Sequence, residues 1–586
     1  MTPPFFINVA CDRRAFLKRA AATAVGAGLP GWSAPGNAAT GGANVLRVQV
    51  KARRNPLVER TFTILQRRIM ERRLVDITRV DDHPHLILSV DPSLPSESFR
   101  IDEVRGAVRV SGGSPNGLLY GVGKLLRTST YTPEFQLSRW RGTSTPRGSL
   151  RGVYFATHFH NWYVQANEDE ISRYLEDLAL WGVNALKVAF PMINLRDWDD
   201  PETGPALEMM RKYARAANAL GIQFAFGITN AMFIGAPNDI RAQRLADPLG
   251  RRGNSGHPIC PSTPAGHAYL VENTRQLFTR LKDVRVDILV FWPYDEGGCS
   301  CDRCTPWGSN GYLKLSRDLA RLARSFHPKI KTVLSTWMFD TPPEGEWQGL
   351  TDALAKGEPW LDYILADAHE DFPRYPLDVG VPGKRPLINF PEISMWGNAP
   401  WGGFGANPLP NRFQRLWDQV KQTVSGGFPY SEGIYEDINK AVVAQFYWNA
   451  DTTARQTLEE YVAYEFGLGK ADDAIELVNL LEQAASDSYK KQPVSREGVL
   501  RARQLADGIH DCLPDWGRRN WRWEIVRLRA VLDQARFVDG ALDSPPAQAA
   551  LLRLIEIYHC QIETDDPYHH RVRPPVRRAV NRAGRK

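Results

Sequence analysis

Apolar and polar positions alternate through Leu46-Arg47-Val48-Gln49-Val50, the two-residue period of a half-buried strand. A helical period follows over 58–73. Short strands are then predicted at 86–90, 98–101 and 107–110, a turn at Gly112-Gly113, and a second helix over 116–127. Residues 45–145 therefore read as a small α/β domain.

The pattern changes at Leu150. Strand-like apolar runs recur at 152–156, 185–190, 223–227, 287–292, 331–336, 363–366, 386–389 and near 427–430. Helical stretches follow them at 168–181, 206–220, 265–281, 312–325, 346–355, 412–421 and 440–448, and the sixth strand has no clear helix after it. Alternation of this length implies parallel strands joined by right-handed crossovers. Repeated over roughly 300 residues, it implies a closed (β/α)8 (TIM) barrel, here spanning 148–450. Residues 451–570 read as a C-terminal helical domain that opens with a helix over 457–466 and closes with one over 547–562.

The formal net charge of +7 invites a nucleic-acid reading, but residues 571–586 alone carry seven Arg or Lys and no acid. That basic tail equals the whole excess, so the body is near neutral and no nucleic-acid partner is expected. Asp12-Arg13-Arg14-Ala15-Phe16-Leu17-Lys18, the small-residue stretch over 20–29 and Asn37-Ala38-Ala39 resemble a twin-arginine export signal. Residues 1–39 are therefore set aside from the fold. The chain is expected to be exported already folded, to the periplasm or beyond, with no membrane insertion.

In such a barrel the reactive groups ride on the loops after the strands. His158, His160, Asn161 and Trp162 follow strand one, and Tyr294, Asp295, Glu296, Gly297 and Gly298 follow strand four. Trp337 and Asp340 follow strand five; Asp367, His369 and Glu370 follow strand six. Glu392, Trp396 and Trp401 follow strand seven, and Tyr430, Glu432, Glu436 and Asp437 come with strand eight. Carboxylates protonate, deprotonate and accept from hydroxyls, while flat rings stack on pyranose faces, so the mixture suits a carbohydrate.

Asp295-Glu296 is the sharpest of these features. Neighbours on an extended backbone point apart, so one acid would enter the site while the other orients a partner. Repulsion and partial burial would raise the pKa of one, as a general acid needs. Gly297-Gly298 lets backbone approach closely. Glu392 and Glu432 are the further catalytic candidates. His158, His160, Asn161, Tyr294, Trp337, Asp367, His369, Trp396 and Tyr430 are the candidate sugar contacts. Lys187 and Arg196 are cations available to a uronate carboxylate, whereas Glu436 and Asp437 read as acids at a helix N-terminus.

These motifs carry a family resemblance over about residues 45–470. The barrel resembles the exo-acting glycoside hydrolases of families 20, 67 and 84: β-hexosaminidases, α-glucuronidases and O-GlcNAcases. Ser98-Phe99-Arg100-Ile101 and Gly117-Leu118-Leu119-Tyr120-Gly121 resemble the end of the small domain that precedes their barrel, and Asp295-Glu296 resembles the hexosaminidase acid pair. Here the pair follows Trp292-Pro293-Tyr294, where hexosaminidases carry His-x-Gly-Gly. The resemblance implies exo-cleavage of a glycosidic bond with Glu296 as general acid and no cofactor required for catalysis. Asp367 and Glu392 match the base positions of the α-glucuronidases roughly.

Cys299-x-Cys301-x-x-Cys304 follows the acid pair, and Cys260 lies on the preceding barrel loop. The four suit a structural zinc, which folded export would let load in the cytoplasm, or equally one or two disulfides. Cys512 and Cys560 are a further candidate pair. Two rival functions remain. His158-x-His160 with His369 would suit a metal-dependent amidohydrolase, although strand four ends without Lys and strand five without His. The barrel would also suit a glycan-binding protein that does not cut. The oligomeric state is left open.

Overall fold

The computed structural model describes residues 45–73, 75–131, 134–158, 161–244, 257–295, 297–340, 344–368, 371–394, 406–559, 561–562 and 572–573. The small domain is a mixed sheet in the order Asp76–Arg79, Val45–Lys51, Leu86–Val90, Ala107–Gly112, Phe99–Val104, Gly142–Ser144. The two strands that the periodicity does not predict, Asp76–Arg79 and Gly142–Ser144, are its short edges. Most of their residues face solvent, so they carry no apolar alternation. Helix Pro56–Arg72 starts where the Asn55 side chain accepts from Leu57 and Val58, and Pro115–Arg127 starts at Ser114 in the same way. The second helix lies directly on the barrel: a Cβ on Gly123 would sit 2.2 Å from the Leu180 carbonyl oxygen.

Leu150–Phe155, Ala185–Ala189, Gln223–Ile228, Ile288–Phe291, Lys331–Ser335, Tyr363–Ala368, Leu387–Ser394 and the split strand Val424–Gly427/Tyr430–Ser431 form a closed parallel barrel. The ring closes where Gly426 pairs with Leu150 and Tyr430 with Tyr154. Every residue of Leu150–Phe155 is buried, as a parallel strand covered on both faces requires. Among the described residues the sixth strand is followed by no more than the short turns Tyr375–Asp378 and Pro382–Lys384. The seventh runs five residues past the 389 boundary, so Glu392 sits within the strand rather than on the loop beyond it.

Helices Ala454–Tyr461, Asp472–Tyr489, Arg496–Cys512, Trp521–Gln534 and Pro545–Tyr558 make the C-terminal region. The last helix stops at Tyr558, short of the predicted 562. His559 turns left-handed (φ 61°), and its ring is anchored 2.7 Å from the Glu170 carboxylate. Beyond it Gln561–Ile562, inside the stretch expected to be helical, pairs antiparallel with Val572–Arg573 at the start of the basic tail.

Buried ions tie the three regions together. Arg522 of the C-terminal region donates to Asp177 (2.8 Å) and Asp437 (2.6 Å), each on a barrel helix. Arg68 of the small domain also pairs with Asp177, and Arg72 reaches Glu465 at 3.1 Å. Among the described residues no helix is long and apolar enough to cross a membrane.

Candidate active site

The Phe390 ring lies 5.9 Å from Tyr154, 4.9 Å from Trp292, 5.6 Å from Trp337 and 5.6 Å from Tyr430. Those residues come from strands one, four, five and eight, so their rings meet inside the barrel toward its C-terminal end. Lys187 of strand two is buried in the same place, its Nζ 3.1 Å from the Tyr154 ring centroid and 5.0 Å from that of Trp292. Gly227 on the next strand leaves it room: a Cβ there would lie 3.3 Å from Lys187 Cε.

The strand period of two places acids above this aromatic floor. Glu392 stands two residues beyond Phe390 and Glu432 two beyond Tyr430, and both are buried. The Tyr430 hydroxyl donates to Glu432 Oε1 at 2.7 Å. The turn after Glu432 is held from several sides. Gly433 O accepts from Lys440 Nζ (2.6 Å), Tyr163 OH (2.7 Å) and Ser431 Oγ (2.9 Å), and Tyr558 OH donates to Glu432 O. Asp367, half-buried, is the penultimate residue of the sixth strand.

Asp295 is not extended: its φ is 67°, in the left-handed region that Asp tolerates better than most side chains. Asp295 therefore does not lie on the extended backbone from which the alternation of the two acids is inferred. Trp337, stacked on Trp292, donates its indole N–H to Asp295 Oδ2 at 3.0 Å. On the far side Asn230, at the end of strand three, accepts from the Gly298 N–H at 2.8 Å and donates to Gly298 O (3.1 Å) and Ile259 O (2.9 Å). A Cβ on Gly297 would lie 2.6 Å from Pro293 O and 2.7 Å from Asn230 Oδ1, which is why glycine is needed there.

Several candidates prove to serve the scaffold. Tyr294 is fully buried and donates to Glu346, which also accepts from the Gly308 N–H. Asn161 is buried, donates to Ala156 O (2.8 Å) and accepts from Tyr163 N–H (2.9 Å), so it caps a helix. Arg196 is exposed and pairs with Asp197 at 2.8 Å, away from the floor. Glu436 makes no capping bond, and Asp437 accepts from Arg522 and Tyr461, so neither caps through its side chain. His158 is half-buried and stacks on Tyr154, its Nδ1 3.4 Å from the Tyr154 hydroxyl.

Glu296, His160, His369, Glu370, Trp396, Trp401 and Cys560 lie outside the described residues. Reading the sequence did not find Asn230, Glu346, Tyr154 or Phe390 as parts of the site. Asn230 was within reach as the polar residue at the active end of strand three, but Glu346 opens a helix distant in sequence and carries no such mark.

No protein-family model and no curated protein matches the chain. Solved structures do match. A family 115 4-O-methyl-α-glucuronidase with specificity for decorated arabinogalactans aligns with a TM-score of 0.58 and 12% identity over 88% of this chain and 76% of that one. A family 138 enzyme targeting pectin rhamnogalacturonan II gives 0.55 and 12% over 87% and 92%. A family 89 glycoside hydrolase from Clostridium perfringens gives 0.57 and 14% over 86% and 65%. The chain shares its fold with these glycoside hydrolases. Among the described residues the one group of His, Cys, Asp or Glu placed to hold a metal ion is the cysteine cluster, and His160 and His369 of the amidohydrolase reading lie outside those residues.

Proposed function

We propose that the protein is an exported, exo-acting glycoside hydrolase that cleaves an oligo- or polysaccharide by carboxylate acid–base chemistry. One observation carries the reading: Asp295, Glu392 and Glu432, from strands four, seven and eight, stand around a floor of Tyr154, Trp292, Trp337, Phe390 and Tyr430. Rings of this kind stack on a pyranose, and Lys187 supplies a cation for its hydroxyls or for a uronate carboxylate. A purely glycan-binding barrel has no need of three acids there.

In the proposed reaction Glu296 protonates the glycosidic oxygen as the bond to the anomeric carbon breaks. A carboxylate across the ring, Glu392 or Glu432, either takes a proton from the water that attacks that carbon, or attacks it itself to give a glycosyl ester that water, deprotonated by Glu296, then hydrolyses. Asp295 orients the substrate beside the acid. Export rests on the twin-arginine pattern at Arg13-Arg14.

A panel of aryl glycosides and plant and microbial oligosaccharides should reveal turnover. Glu296→Gln should then lower kcat by about 10²–10⁴-fold, the usual share of general acid catalysis, with substrate binding retained. Near-normal turnover in that variant would overturn the assignment.

A further inference from the structure

The loop that leaves the acid turn carries a second constellation, distinct from the aromatic floor. Cys299, Cys301 and Cys304 meet Cys260 from the loop before helix Pro264–Arg280, and the four sulfurs all lie within 4.8 Å of one another. Cys260 Sγ is 3.7 Å from Cys301 Sγ and 3.9 Å from Cys304 Sγ. A tetrahedron built on Zn–S bonds of about 2.3 Å has sulfur–sulfur edges of about 3.8 Å. Disulfides would instead draw the sulfurs into pairs about 2.05 Å apart. One sulfur equally near two others fits the corner of a tetrahedron.

We propose that Cys260, Cys299, Cys301 and Cys304 bind one structural zinc ion as four thiolates. Four protein ligands leave no open position for substrate or water, and thiolates select zinc over harder divalent cations. The surroundings suit the negative charge that such a quartet carries. The Ser262 hydroxyl stands 3.0 Å from Cys304 Sγ. Three of the four cysteines are buried.

The site's consequence for the enzyme rests on the glycosidase reading; metal binding itself does not. Cys260 follows Ile259, whose N–H and carbonyl both bond to Asn230, and Asn230 in turn holds Gly298 beside the acids. The ion would therefore clamp two loops and act as a positioning device for the Asp295-Glu296 turn, without touching substrate.

The test is the metal content of the full-length protein purified without chelator. About one zinc per chain is expected, with most of it lost in Cys301→Ser and Cys304→Ser. Should those variants fail to fold, X-ray absorption at the zinc edge of the unmutated protein should show four sulfurs at about 2.3 Å. Cobalt(II) in place of zinc should give the strong thiolate charge-transfer and tetrahedral d–d bands. Zinc-free protein whose intact mass shows these cysteines oxidised, or a zinc edge with nitrogen or oxygen ligands, would overturn the proposal. Zinc bound by four sulfurs in a protein that cuts no glycoside would leave the site standing and sink the glycosidase reading alone.

Discussion

Asp295 is legible in the sequence because two adjacent acids at the end of an apolar strand are rare enough to notice. What holds it is not, since its partner stands 42 residues away on the next strand. The Trp337 ring reads as a stacking surface, yet the ring is almost wholly buried and its N–H is committed to the carboxylate. Trp337→Phe keeps most of the stacking on Trp292 and removes only the donor. A hydrogen bond to a charged group contributes about 1.5–3 kcal/mol, so kcat should fall by about 10–100-fold if the bond fixes Asp295 for catalysis. KM should change little, because the phenyl ring keeps its place in the floor and only the donor that orients the acid is lost. Steady-state kinetics on the substrate found for the parent enzyme would check this. A rise in KM at constant kcat would instead make Trp337 a binding residue.

The barrel elements follow the sequence closely, since buried parallel strands are continuous apolar runs and their helices carry a clear stripe. The deviations have local causes. The seventh strand runs on through Phe390-Pro391-Glu392, where proline ends the expected pattern but not the pairing with Tyr430. The eighth is split around Phe428-Pro429, so its apolar run looks displaced. Helix Asp437–Trp448 shows what periodicity hides, for it buries a lysine. Burial pushes the Lys440 pKa down to about 8 from 10.5; Glu436 and Asp437 pull it up, and Arg522 adds to the fall. Its ammonium faces the Tyr163 and Tyr174 rings and donates to Gly433 O beside Glu432. The folded chain thus holds this proton more weakly than the unfolded chain does. Below pH 8 the charged group costs the fold about 3 kcal/mol, the equivalent of the shift. Between pH 8 and 10.5 the folded state releases the proton first, so the cost fades as pH rises. Lys440→Met has no proton to lose there. The thermal midpoint of the parent minus that of the variant should therefore climb from pH 8 to pH 10, and a flat difference would refute the assigned cause.

At the scale of the whole molecule the sequence reveals three regions but not what joins them, because the joint is made of charges whose partners lie hundreds of residues apart. Arg522 sits between Asp177 and Asp437 with Glu465 3.9 Å away, and all four side chains are buried. Tyr461, also of the C-terminal region, donates to Asp437 at 2.7 Å, so the acid accepts twice from that side of the joint. The joint bears on the site as well, because Asp437 opens the helix that carries Lys440, and Lys440 holds the turn after Glu432. Arg522→Leu would leave Asp437 buried without its closest counter-charge and would strip Asp177 and Glu465 of the second of two. Breaking a buried pair from one side costs about 3–5 kcal/mol, far more than the pair contributes net, because the remaining charges lose their solvation and gain nothing. The variant should melt several degrees below the parent. Arg455→Leu is the matching control: its partners Glu459 and Asp472 are exposed, and loss of such a surface pair costs about 1 kcal/mol or less. The two variants together separate a joint from a decoration. If Arg522→Leu melts no lower than Arg455→Leu, the C-terminal region is held by its apolar contacts alone. If the expected gap is found, the same variant should also lose activity below its melting range, since the Glu432 turn depends on the helix that Arg522 anchors.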